Sequence, residues 1–167
     1  MVTYVTRLIR HLASPPWRVR TTFPAHTMRT IEQAIRESEA GHNGQIRFAV
    51  EAALEVMPLL RNQSARERAI EVFSLLRVWD TEHNNGVLVY LLLADRDVEI
   101  IADRGIHRRV GADEWEPICR EMEQAFRKGR FVDGVIGGIR AVSAHLTRHY
   151  PGKDRHPNEL PDSPVVL

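Results

Sequence analysis

Residues 84–97 read NNGVLVYLLLADRD, and this stretch constrains the fold most. Gly86 to Ala94 is almost wholly apolar, while polar side chains crowd both ends. A membrane span needs about 20 apolar residues, so the run is too short to cross a bilayer. It is also short for a buried helix and holds Val87, Val89 and Tyr90, residues that favour strands. The reading is a strand covered on both faces. "ADRD" then makes a tight turn, and "DVEIIAD" (97–103) returns as the second half of an antiparallel hairpin.

The flanking segments supply helices and one more strand. "TRLIRHL" suggests a short amphipathic helix with Tyr4, Val5, Leu8, Ile9 and Leu12 on one side. "HTMRTIEQAIRESEAG" reads as a helix with Met28, Ile31, Ala34 and Ile35 inward, stopped at Gly41. "QIRFAVEAAL" reads as a strand with Ile46, Phe48 and Val50 on one face. Ser64 and Glu67 have capping-box spacing, opening a helix to about Trp79. Asp113 and Glu116 repeat that spacing, with Pro117 tolerated in the first turn and a stop near Lys128–Gly129. The last helix follows Asp133, buries Val135, Ile139, Val142 and Leu146, and ends at Pro151. The proline-rich tail 151–167 has no periodicity, and disorder is expected there.

This order predicts an α/β fold, a three-layer helix-sheet-helix sandwich with a small mixed sheet of three to four strands. A right-handed crossover makes the strands at Ile46 and Val87 parallel. The expected division is a basic, helical N-terminal arm (1–24), one domain (25–150) and the tail (151–167).

Charge and cysteine content narrow the function. With 23 basic and 22 acidic side chains the net charge is +1, and no global field argues for nucleic acid. The single Cys119 excludes an intrachain disulfide and fits a reducing compartment; its helical neighbours suggest a buried thiol. Arg7 and Arg10 interrupt any signal-peptide core, so a cytoplasmic location is expected. Five arginines (Arg7, Arg10, Arg18, Arg20, Arg29) precede the first acid, Glu32. Such an arm can touch an anionic membrane peripherally or a protein partner, or fold onto the domain.

Topology also suggests a site. Parallel strands at Ile46 and Val87 start at one sheet edge, where the hairpin's return strand ends. "GHNG", "WDTEHNNG" and "ADRGIH" should therefore converge. They bring Asp80, Glu82, Asn84, Asn85 and Asp103, with His42, His83 and His107 nearby. Carboxylate and amide oxygens suit a hard cation such as calcium, so Asp80, Glu82, Asn84 and Asp103 are the candidate metal ligands. The alternative is ordinary capping of turns and helices by Asp and Asn. His145 and His149 have zinc-pair spacing, without a third ligand evident in the sequence. Arg47 and Glu51 share a strand face, as a surface ion pair or a ligand-facing pair. Gly134, Gly137 and Gly138 suggest close helix packing.

"NNGVLVYLLLADRDVEIIADRGI" followed by "FRKGRFVDGVIGGIRAV" resembles the TPM domain family over roughly residues 25–150. That family includes thylakoid proteins linked to photosystem II repair, a nematode receptor modulator and many bacterial proteins of unknown role. The resemblance implies a helix-sheet-helix sandwich, with calcium binding and weak acid-phosphatase activity known for some members. The family's glycine-aromatic-glycine after the third strand is replaced here by Asp103-Arg104-Gly105. Together these features suggest a protein-interaction or calcium-type metal-binding module. The alternative is a weak metal-dependent acid-phosphatase-like hydrolase.

Overall fold

The computed structural model describes residues 4–152 and 157–167. Strand β1 (Gln45–Glu51) pairs in parallel with β2 (Gly86–Leu92), from Gln45 opposite Gly86 to Glu51 opposite Leu92. Strand β3 (Asp97–Ala102) returns antiparallel to β2. The two-sided burial of the opening stretch is explained by its place inside this sheet. Every residue of β2 is buried, and successive side chains enter two separate cores.

Val87, Val89 and Leu91 face the larger core with Ile46, Phe48 and Val50. Three helices close that side: α3 (Ala25–Glu39), α7 (Trp115–Arg127) and α8 (Phe131–His149). Leu88, Tyr90 and Leu92 face the smaller core, covered by α5 (Ala65–Leu75). Helices thus lie on both faces of a mixed four-stranded sheet, in the expected three layers. The glycines of α8 bring it close to α7. A Cβ on Gly138 would lie 2.2 Å from Met122 Sδ, and one on Gly134 2.6 Å from Phe126, whereas Gly137 faces open space.

The fourth strand corrects the expectation of disorder for residues 157–167; residues 153–156 of that tail lie outside the described residues. β4 (Val165–Val166) pairs in parallel with β1, so β1 is internal. Polar residues on β1 hold the approach. Gln45 Oε1 accepts the N–H groups of Glu159 and Leu160 at 2.9 and 2.8 Å. Arg47 donates to the carbonyls of Pro161 and Ser163, and Leu160 is buried in the smaller core.

Three local expectations also change. α5 ends at Leu75, not near Trp79, because Arg77 turns left-handed (φ 53°) and returns Val78 under Gly86. The Ser64–Glu67 capping box is present, but Asp113 caps nothing: Ala112–Glu114 form a 3₁₀ turn before α7. A short helix, α4 (Val56–Leu60), follows β1.

The N-terminal arm is helical: α1 (Tyr4–Leu12) and α2 (Trp17–Thr22). Its orientation reverses the usual arrangement. The side of α1 that faces the domain packs Leu8 on the smaller core, which splits Leu8 from the expected apolar stripe, and grips Asp95 in the β2–β3 turn with polar side chains. Arg7 and Arg10 each reach an Asp95 oxygen at 3.0 Å, and His11 Nε2 lies 3.1 Å from Oδ1. The other His11 nitrogen accepts the N–H of Leu54. Burial works against the Asp95 charge, but His11 and Arg7 outweigh it and hold the carboxyl below its usual range. On the opposite side, Val5, Ile9 and Leu12 are 61%, 60% and 64% exposed.

Candidate functional site

The three loops do converge at one sheet edge. Asn85 Nδ2 donates to Asn43 O, Asp103 N–H to Gly86 O, and Ile106 N–H to Asn84 O. Helix α6 (Arg104–Val110) starts there, with Asp103 as its N-cap. Asp103 Oδ1 accepts the Arg104 N–H at 2.6 Å. The approach is close: a Cβ on Gly105 would lie 2.5 Å from Asn84 O and 2.8 Å from both His83 O and Tyr150 Oη. A side chain at 105 would drive α6 off this edge.

The expected carboxylates are only partly brought together. Asp103 is buried in the cap, and its Oδ2 lacks a hydrogen-bond partner among the described residues. Asp80 is exposed and paired with Arg77 at 2.6 Å. Glu82 is exposed, and its N–H binds Glu159 of the tail. Asn84 takes the left-handed backbone of a tight turn (φ 50°) with an exposed side chain. Asn85 is fully buried, and its Oδ1 is also without a partner among the described residues. Among those residues, no three His, Cys, Asp or Glu side chains are grouped to hold a metal ion. Of the expected donors Asp80, Glu82, Asn84 and Asp103, Asp103 is the buried one, and the other three are exposed.

The other candidates have structural partners. Arg47 and Glu51 are both buried but do not pair with each other. Arg47 serves the tail, while Glu51 receives Arg68 at two oxygens (2.9 and 3.0 Å) and the Tyr90 hydroxyl at 2.6 Å. His145 lies 4.0 Å from Glu114 and packs against Trp115. Burial pushes the Cys119 thiol up to about 12, leaving it protonated and unreactive at neutral pH. Cys119 and Glu123 line a groove of about 650 Å³ outside β3, where Glu123 accepts the Val98 N–H and so covers part of the sheet edge.

A basic cluster at the loop edge escaped the sequence reading. α6 carries Arg104, His107, Arg108 and Arg109 and no acid. It meets the last turn of α8, which carries Arg148 and His149. Arg109 stacks over Tyr150, 4.5 Å from the ring centre, and donates to His149 O at 2.9 Å. Arg104, Arg108 and Arg148 are exposed. Burial and the charges of Arg148, His145 and Arg109 push His149 below its usual range. The run "RGIHRR" was the available signal.

An α/β sandwich with converging loops and a basic cap at one edge is the class these features define. The chain belongs to the TPM domain family, whose model matches residues 20–145. It is similar to the NMR structure of the BA42 protein from the psychrophilic bacterium Bizionia argentinensis, with 29% identity and a TM-score of 0.76. That match covers 87% of this chain and 95% of BA42. It also shares its fold with the N-terminal domain of a P. gingivalis protein, at 16% identity and a TM-score of 0.60, covering 86% of this chain and 95% of that one. None of the curated proteins compared with the chain matches it.

Proposed function

We propose that this TPM domain is a binding module that takes a phosphate-bearing anion at the α6–α8 end of the sheet. The observation that carries this reading is the positive charge gathered there. Arg104, Arg108 and Arg148 are exposed, and α6 contains no acid of its own. Guanidinium groups offer forked donors that match phosphate oxygens. The family model's short name, TPM_phosphatase, supports phosphate as the anion.

A calcium-type ion is a second reading, favoured by the unpartnered Asp103 Oδ2. The arginines of α6 repel a cation at that place and attract an anion, so charge favours the first reading. Weak metal-dependent acid-phosphatase-like hydrolysis of the bound group is the enzymatic alternative.

Thermal melting separates these readings. Inorganic phosphate should raise the melting temperature above that in sodium chloride of equal ionic strength. The linked gain is about 2.7 kcal/mol at a hundredfold excess over the dissociation constant. Arg104→Ala/Arg108→Ala should lose most of that gain. A phosphate response equal to that of chloride would overturn the reading. A gain with millimolar calcium, reduced in Asp103→Asn, would replace it with the cation. Phosphate release from p-nitrophenyl phosphate would add the hydrolase.

A further inference from the structure

We infer that the outward side of α1, together with α4, docks the protein flat onto an anionic lipid surface. The observation is the reversed helix. Arg7, Arg10 and His11 attach α1 to the domain, leaving Val5, Ile9 and Leu12 in solvent. Ordinarily an amphipathic helix on a globular domain turns its apolar side inward. Here those side chains contribute little to the fold they sit on.

The apolar surface extends beyond α1. Tyr4 donates to Leu60 O at 3.3 Å, and Arg7 donates to Gln63 O at 2.8 Å, so α1 lies against the segment containing α4. Val56, Met57 and Leu60 of α4 are exposed there, and Trp17 at the start of α2 is 63% exposed. Clustered apolar exposure of this kind marks an interaction surface.

Charge selects the occupant. Arg7 and Arg10 share the single Asp95 carboxylate, and Arg18 and Arg20 of α2 add positive charge with no acid between Tyr4 and Thr30; Arg29, on α3, lies beside α8 and away from this face. Arg20 and Arg61 are exposed, and α4 is flanked by a single acid, Glu55. Two copies meeting through this face would bring like charges together. An anionic membrane meets both features at once: aliphatic chains enter the interface, tryptophan and tyrosine sit at headgroup level, and arginines meet the lipid phosphates. This surface adjoins the β2–β3 turn, at the opposite end of β2 from α6, so it is independent of the anion reading above.

Cosedimentation with vesicles tests the inference on the full chain. Vesicles of phosphatidylcholine with phosphatidylserine should pull the protein down, and phosphatidylcholine alone should do so weakly. Ile9→Glu/Leu12→Glu should lower partitioning at least about tenfold without changing the melting temperature, because both side chains are exposed. Trp17 fluorescence should shift to the blue on binding, a change missing in Trp17→Phe. Arg104→Ala/Arg108→Ala should bind vesicles as the parent does. Failure of the parent to sediment overturns the inference. So does loss of binding in the α6 variant with retention in the α1 variant. A dimer that Ile9→Glu/Leu12→Glu converts to monomer, without vesicle binding, would assign the face to a second copy instead.

Discussion

Gln45 holds Leu160 in place: one amide oxygen on β1 accepts two consecutive backbone N–H groups of the tail. Because Gln45 and Arg47 are both buried, removing residues 157–167 strands their polar atoms as well as deleting β4. Each buried polar group left unsatisfied costs about 1–3 kcal/mol. Truncation after Gly152 should therefore destabilise the domain by about 2–4 kcal/mol, measured by urea unfolding. An unchanged midpoint would show that the tail contributes nothing.

Glu51, Arg68 and Tyr90 form a second buried polar group, beneath α5. Arg68→Ala leaves the Glu51 carboxylate without its counter-charge and should cost about 3 kcal/mol. Tyr90→Phe removes one hydrogen bond to a charged acceptor and should cost about 1.5–3 kcal/mol. A double variant with a loss well below the sum of the two would show their coupling.

Stability should fall as pH rises from about 6.5 to 8. Burial raises Glu39 to about 8, with Asp162 adding to the effect. Burial with Glu99, Glu123 and Asp95 raises Asp97 to about 7. In this window the unfolded carboxylates have already lost their protons, while folded Asp97 holds its proton to about pH 7 and folded Glu39 to about pH 8. Proton binding then favours the folded state, and that contribution disappears as pH passes the folded values. His42, lowered to about 4 mainly by burial, is neutral in both states above its ordinary value and adds slope only below it. Glu39→Gln and Asp97→Asn should each flatten the decline, read from melting temperatures across this range.

Neighbouring glycines of α8 should respond oppositely to alanine. Gly137→Ala meets open space and should stabilise the helix by about 0.5–1 kcal/mol. Gly138→Ala meets Met122 Sδ and should destabilise by about 1–3 kcal/mol. Chemical denaturation of the two variants provides the comparison.

The sheet and its main helices were legible because burial dictates their pattern. β2 is apolar on both faces, and α3 and α8 repeat apolar residues at helical spacing. The tail was not legible because polar side chains hold it. Gln45 and Arg47 bind its backbone, which leaves little mark on the tail's own sequence. Helix α1 was legible as a helix, but a stripe does not state which side faces inward. That depended on Asp95, more than eighty residues from Arg7 and Arg10. At the loop edge the convergence followed from strand direction. Individual side-chain roles did not: Asp80 turned to Arg77 and Asp103 to its helix cap.

The reversed helix has a consequence for natural variation. A residue that packs inside the domain is constrained by folding whatever the protein does. Val5, Ile9 and Leu12 escape that constraint, because the attachment runs through Arg7, Arg10 and His11 on the other side. Selection for a stable fold is therefore nearly blind to them. Their apolar character can persist across a lineage only while something outside the chain requires it, and drift to polar residues would record the loss of that requirement.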